Sequence, residues 1–146
     1  MIIGTGNKAG KSSQEILLKE ADWAQFFIAK NPTSKVATEL RRHATDLDAK
    51  PFTEKCHHCK GAATRLSYYS GNPMMWYAWC ASCDPYWTGA RRGMLTIVAT
   101  VSQALRFVDS TCQGRRTDKR IIVRQLAEAK GLPKRVGQAT AIKFLP

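Results

Sequence analysis

Two cysteine pairs constrain the fold of this chain more than any other feature of its sequence. Cys56 and Cys59 are separated by two residues, as are Cys80 and Cys83, and twenty residues lie between the two pairs. A turn with this spacing points two sulfurs at one ion, and its N–H groups help to neutralise the thiolates. Twenty residues are enough for a hairpin that returns the second pair to the first. The spacing therefore predicts one Zn²⁺ held by four thiolates.

A zinc ion with four thiolate ligands has no open position for water, so the predicted site is structural and not catalytic. For the same reason we expect His57 and His58, which lie between the first two ligands, to be exposed turn residues. Cys112 is a lone thiol, and we expect it to be buried or idle.

The centre of the chain, residues 51–93, is rich in cysteine, aromatic residues, Gly and Pro. Short β-like segments occur at residues 64–69 and 75–79, between the cysteine pairs. With its four cysteines, this region resembles a zinc ribbon. The resemblance implies a small hairpin unit whose fold is fixed by the metal.

Residues 1–50 are predicted to be helical. Ser12 and Glu15 have the spacing of a capping box, and Glu15 and Lys19 form an i,i+4 pair in the helix that follows. Asp22 is predicted to cap a second helix, which ends before Pro32.

A third helix is predicted to open at Thr33 or Ser34. One apolar stripe runs along it at helical spacing, and it consists of Val36, Leu40, Ala44 and Leu47.

The C-terminal part of the chain is predicted to contain one strand and three helices. Residues 94–101 have the composition of a buried strand, and helices are expected at 102–108, 118–130 and 138–144. The fold class is therefore α+β. Its three predicted units are a helical module at 1–50, a zinc ribbon at 51–93 and a basic strand–helix region at 94–146.

The formal charge of +12 is concentrated near the C-terminus, since residues 91–146 contain twelve Lys/Arg against three Asp/Glu. Such a basic segment indicates a polyanionic partner. The candidate phosphate-binding residues are Arg91, Arg92, Arg115, Arg116, Lys119, Arg120, Arg124, Lys134 and Arg135. Tyr86 and Trp87, beside the second cysteine pair, are the candidates for stacking on bases. A solvated helix face remains the alternative explanation of the charge.

The glycine-rich start does not satisfy the pattern of a nucleotide-binding P-loop. That loop needs four residues between its first glycine and Gly-Lys-Ser, whereas Gly6 leaves three before Gly10 and Gly4 leaves five. We therefore do not expect nucleotide hydrolysis.

The same segment is similar to another family. Gly6-x-x-x-Gly10-Lys11, the helix after it, and the acidic and aromatic positions Glu20, Trp23 and Phe26 resemble the small C-terminal module of exodeoxyribonuclease X-like proteins. The resemblance covers about a third of the chain. It implies association with DNA-processing proteins, and not nuclease activity, because the family's nuclease carboxylates belong to a separate domain.

The sequence thus favours a non-catalytic protein that binds DNA or RNA, in a bacterial or phage setting. One alternative is a small zinc-bearing subunit of a larger nucleoprotein complex, for example a CRISPR effector, with protein subunits as partners. A nucleic-acid-processing enzyme is disfavoured, because only four carboxylates lie beyond Glu54. No export signal or membrane-spanning segment is recognised, so we expect a cytoplasmic protein without a membrane partner.

Overall fold

The computed structural model describes residues 1–4, 6–84 and 95–146. These residues form α1 (Ser13–Lys19), α2 (Ala21–Lys30), α3 (Lys35–Ala49), β1 (Arg65–Tyr69), β2 (Trp76–Trp79), β3 (Leu95–Val98), α4 (Val101–Thr111), α5 (Arg116–Ala129) and α6 (Gln138–Phe144). The strands make one antiparallel sheet in the order β2-β1-β3. The predicted α+β class is confirmed.

The first and third helices begin at their predicted caps. The Ser12 hydroxyl accepts a hydrogen bond from the Glu15 N–H at 3.1 Å, and the Ser34 hydroxyl accepts one from the Ala37 N–H, also at 3.1 Å. Each hydroxyl satisfies an N–H that has no partner within the helix. Because both caps are local in sequence, short spacing rules were enough to place the two helix starts.

The prediction that Asp22 caps α2 is wrong. Only Glu20 separates α1 from α2, and Glu20 itself occupies the cap position, with no hydrogen bond from its side chain to the helix. Asp22 lies in the first turn, where its carboxylate accepts hydrogen bonds from Arg120 on α5. The Asp22 carboxylate therefore forms a tertiary ion pair with Arg120, and not the helix cap that local spacing predicted.

The sheet places β1 at its centre. Leu66 of β1 is opposite Ala78 of β2 and Val98 of β3, and Leu66 is fully buried. The strand predicted at 94–101 is shorter than expected within the described residues. It ends at Val98 because Thr100 and Gln103 form a capping box that starts α4.

The bounds of the first two C-terminal helices differ from the prediction, most of all at two ends. α4 continues to Thr111 instead of stopping at 108, and α5 begins at Arg116 instead of 118. The connection between them is short because Gln113 and Gly114 both adopt positive φ angles, of 59° and 65°. Such angles reverse the chain direction within a few residues. α6 has the predicted bounds.

The core is continuous from the N-terminal helices to the C-terminal ones. α5 packs against α1, α2 and α4, while α1 also contacts α3 and α6. The apolar side of α5 is buried at Ile122, Leu126 and Ala129. Among the described helices, none has the length and apolar composition needed to cross a membrane.

Lys130, just after α5, is buried and only 4% exposed. Its ammonium donates hydrogen bonds to the carbonyls of Leu47 and Asp48 at 2.9 and 3.0 Å, and to the carbonyl of Ala99 at 3.5 Å. Leu47 and Asp48 lie in the last turn of α3, where a positive charge is favourable, and the Leu47 carbonyl also accepts a hydrogen bond from the Lys50 N–H at 3.2 Å. One side chain thus joins the ends of α3 and α5 to the segment before α4.

Candidate metal centre and nucleic-acid interface

The structure brings the four predicted cysteine ligands together. The sulfurs of Cys56, Cys59, Cys80 and Cys83 all lie within 4.8 Å of one another. The Cys59 and Cys80 sulfurs are 3.9 Å apart, far beyond the ~2.05 Å of a disulfide bond, and all four thiols are free. The group has the composition and size of a site that could hold a metal ion.

The first cysteine turn closes through its own backbone. The Lys60 N–H donates to the Cys56 carbonyl at 3.0 Å, and the Gly61 N–H donates to the Cys59 sulfur at 3.4 Å. Lys60 has a φ of 62°. A Cβ placed on Gly61 would lie 3.3 Å from the Cys59 sulfur, a tight contact, so glycine suits the close approach of the backbone to the sulfur. Lys60 and Gly61 were not predicted from the sequence, although a glycine two residues after the second cysteine was a visible signal.

The second cysteine turn follows directly on β2. The Asp84 N–H donates to the Cys80 carbonyl at 3.1 Å, which closes this turn in the same way as the first. The two turns meet because the His57 N–H donates to the Ala78 carbonyl at 2.7 Å. The hairpin of β1 and β2 therefore sets the distance between the two cysteine pairs.

The electrostatics of the cluster favour a cation at its centre. Burial opposes ionisation of Cys56, but the backbone N–H groups of Cys59, Cys80 and His58 lower its pKa to about 6. The neighbouring thiols of Cys80 and Cys59 raise the pKa of Cys83 to about 12. Four thiolates this close together would repel one another, so all four can ionise only around a positive ion.

Neither histidine of the first turn belongs to the cysteine cluster. The exposed His57 ring lies edge-on to the rings of Tyr77 and Trp79, at centroid distances of 5.1 and 5.4 Å. His58 is also exposed. Cys112 is buried in the core, 1% exposed, as predicted.

Four of the predicted nucleic-acid-binding residues, Tyr86, Trp87, Arg91 and Arg92, lie outside the described residues. Among the others, several cations of α5 are held by carboxylates of this chain. The ion pairs are Lys119–Asp109 at 3.0 Å, Arg120–Asp22 at 2.6 Å, Arg124–Glu128 at 3.1 Å and Arg115–Asp118 at 3.6 Å. Much of this positive charge therefore attaches α5 to its neighbours or stabilises α5 itself.

Three predicted cations remain available to a ligand. Arg116, Lys134 and Arg135 are exposed, and within the described part of the chain none of them pairs with a carboxylate. Arg116 stands at the start of α5, and the other two precede α6. These residues are the free part of the predicted basic face.

The glycine-rich start forms a closed loop against α1 and α2. Gly6 and Gly10 have φ angles of 80° and 87°, and the Ile3 N–H donates to the Lys11 carbonyl at 2.9 Å. The ammonium groups of Lys8 and Lys11 bind the Glu20 carboxylate at 2.5 and 2.9 Å. Burial would raise the pKa of Glu20, but the two lysines lower it overall. The predicted acidic position, Glu20, thus holds the loop on the helices.

A cleft between α2 and α5 was not foreseen from the sequence. It has a volume of about 790 Å³. Its lining consists of Asn7, Lys8, Asp22, Trp23, Gln25, Phe26, Ala29, Asp109, Gly114, Arg116, Lys119 and Arg120. Phe26 is 60% exposed. The clearest signal in the sequence was the pair Trp23 and Phe26, one turn apart on α2.

Comparisons with known proteins do not test the exodeoxyribonuclease X-like resemblance of residues 1–50, which stays a prediction. No protein-family model, no curated protein and no solved structure matches the chain.

Proposed function

We propose that this protein holds one structural Zn²⁺ in a zinc ribbon and binds DNA or RNA without cutting it. Zinc bound by four thiolates at about 2.3 Å in a tetrahedron has sulfurs about 3.8 Å apart. The 3.9 Å between the Cys59 and Cys80 sulfurs is close to that distance. Thiolates also favour zinc over the hard cations Mg²⁺ and Ca²⁺.

The observation that carries the nucleic-acid proposal is the unneutralised charge of the C-terminal region. Residues 91–146 contain twelve cations against three carboxylates, and Arg116, Lys134 and Arg135 are exposed. A polyanion would neutralise such a surface and release its counterions, which favours binding.

The absence of catalysis is also a proposal, and two observations support it. A four-thiolate site leaves a zinc ion no position for a reacting water. The four carboxylates beyond Glu54 each face a cation: Asp84–Arg65, Asp109–Lys119, Asp118–Arg115 and Glu128–Arg124. Because each carboxylate is engaged by a cation in its own ion pair, the four carboxylates do not form a group that would share a magnesium ion.

The setting that we propose is the cytoplasm of a bacterium or of a phage-infected cell. The similarity of residues 1–50 to exodeoxyribonuclease X-like modules supports a role beside DNA-processing proteins. In this proposal, residues 1–50, 51–93 and 94–146 keep the roles of helical module, zinc ribbon and basic region.

Two measurements on the purified full-length chain test the proposal. Elemental analysis should find one zinc per chain. Binding of single- and double-stranded DNA and RNA should weaken steeply with salt, because each phosphate contact releases counterions. A zinc-free folded chain would refute the metal part. A lack of binding to all four nucleic acids at low salt would refute the other part.

A second candidate function is that of a small subunit in a nucleoprotein complex. Met74 and Met75, in the turn between β1 and β2, are 66% and 49% exposed. Two adjacent exposed methionines are suited to an adaptable protein contact. Affinity purification from the native cell discriminates the candidates. Stoichiometric partner subunits, lost on Met74→Ala/Met75→Ala, would favour the subunit, whereas nucleic acid alone would favour the independent binder.

A further inference from the structure

The cleft between α2 and α5 combines positive charge with an exposed aromatic ring. We infer that this cleft is a binding site for single-stranded nucleic acid, in which Phe26 stacks on a base and Arg116 holds a phosphate. The inference deepens the nucleic-acid proposal made above, and it moves the binding surface from the C-terminal region alone to its junction with the N-terminal helices.

The charge of the cleft favours an anion. Its lining contains four cations, Lys8, Arg116, Lys119 and Arg120, against two carboxylates, Asp22 and Asp109. Asp22 is 9% exposed, and both carboxylates are paired with cations of α5. Lys8 is paired with Glu20, and the Asp109 side chain is 46% exposed, so most charges of the lining are balanced. Arg116 is the cation without a carboxylate partner in the described structure, and it is the group that would attract an anion.

Phe26 supplies a feature that a simple phosphate site would not need. The residue is 60% exposed on the surface of α2, with the Lys30 ammonium 5.8 Å from its ring centroid. Trp23 is already engaged, because Phe27 stacks on it at 4.8 Å and Lys8 lies 5.7 Å from its centroid. A cation lies near each of these two rings, but among the described residues no aromatic ring stacks on Phe26, so its exposed side can receive a base.

These two features together indicate single strands. A ring can stack on a base only where the base is not already stacked and paired in a duplex, and proteins for single strands combine such rings with cations that follow the backbone. The volume of about 790 Å³ lies within the ~300–1,000 Å³ of sites for drug-sized molecules, a class that includes nucleotides. An acidic peptide would use the cations but would gain little from Phe26.

The test compares cleft variants with matched surface variants in the full-length, zinc-loaded chain. The probes are fluorescent oligothymidylate and oligouridylate, and affinity is measured over a range of salt concentrations. Phe26→Ala is matched by Ile142→Ala, another exposed apolar side chain, and Arg116→Ala is matched by Lys35→Ala, an exposed cation on α3. All four side chains are exposed, so thermal melting should show nearly unchanged stability.

We expect Phe26→Ala to weaken binding about five- to 150-fold while the salt dependence stays the same, because stacking releases no counterions. Arg116→Ala should reduce the slope of log affinity against log salt by about 0.7, the value for one phosphate contact on a single strand. The two control variants should bind like the parent.

Three outcomes would overturn the inference. If the parent binds but the cleft variants bind as tightly as their controls, the cleft is not the site, and the proposed function survives. If the parent does not bind either oligonucleotide, the cleft inference fails; lack of binding to duplexes as well would refute the nucleic-acid proposal itself. Competition by polyglutamate that is as strong as by the oligonucleotides would assign the cleft to acidic peptides.

Discussion

The guanidinium of Arg120 donates two hydrogen bonds to the carboxylate of Asp22, at 2.6 and 3.3 Å. The carboxylate is nearly buried, with 8% of the side chain exposed, whereas 46% of the arginine side chain is exposed. The pair joins α2 to α5, two helices that lie 98 residues apart at this point. An arginine that composition assigns to a phosphate partner therefore also fastens the N-terminal helices to the C-terminal ones.

This pair predicts different roles for two nearby arginines of α5. Arg120→Ala leaves the Asp22 carboxylate buried without its partner and should lower the free energy of unfolding by about 1–3 kcal/mol. Arg116→Ala removes an exposed side chain and should change it by less than about 0.5 kcal/mol. Urea denaturation of both variants makes the comparison, and equal losses would contradict the tertiary role of Arg120.

The cysteine cluster predicts a metal-dependent fold. Cys56→Ser and Cys83→Ser should each abolish stoichiometric zinc binding and lower the melting temperature, because the binding energy of a structural metal is largely folding energy. Cys112→Ala serves as the control, since that thiol is buried away from the cluster and should leave the zinc content at one per chain. Full zinc content in the Cys56 or Cys83 variant would end the proposed site.

His43 predicts a loss of stability in mild acid. The residue is fully buried, and its Nε2 lies 3.0 Å from the Ser13 hydroxyl. Burial, assisted by Arg42, lowers the pKa of His43 below the ordinary 6.5, although Glu39 and Asp46 oppose the shift. The unfolded chain therefore binds a proton more readily than the folded one, so stability is full above about pH 6.5 and falls as the pH drops toward the lower folded pKa.

Melting temperatures at pH 7.5, 6.5 and 5.5 measure this effect, with zinc content recorded at each pH because thiolates also protonate. His43→Asn should flatten the dependence, whereas His58→Asn, at an exposed position, should retain it. Parallel curves for the parent and the His43 variant would assign the acid sensitivity to other groups.

Replacing Lys130 should lower the free energy of unfolding considerably, although composition alone would count this lysine as one more surface charge. Lys130→Met removes the donor to three carbonyls, two of them at the end of α3, and should lower the free energy of unfolding by at least about 2 kcal/mol. The exposed Lys134→Met should have little effect on unfolding. Similar denaturation midpoints for the two variants would show that the buried hydrogen bonds contribute nothing.

The features that the sequence predicted well depend on residues close together in the chain. Ser12 and Ser34 mark helix starts through bonds that span three residues, and the spacing of each cysteine pair determines its own turn. The contacts that the sequence did not predict join residues far apart in the chain. The pairing of Asp22 with Arg120 and the bonds from Lys130 to α3 span 98 and 83 residues, and no local pattern records them.

The α2–α5 cleft was missed for a related reason. Phe26 and Arg116 line one cavity only because both helices pack in one particular orientation. Amphipathic spacing assigns each residue to a face of its own helix, but it does not say which faces meet. The predicted basic residues were therefore identified one by one, while their carboxylate partners and their aromatic neighbour were not.

The central position of β1 has a consequence beyond the cysteine turns. β1 pairs on one side with β2, which leads directly into Cys80, and on the other with β3, which leads into α4, so the hairpin that carries the cysteine cluster and the helical core share one strand. Any ion bound only by the folded cluster would stabilise the whole chain, by about 2.7 kcal/mol at a free concentration one hundred times its dissociation constant. The abundance of the intact protein would then follow the supply of that ion in the cell.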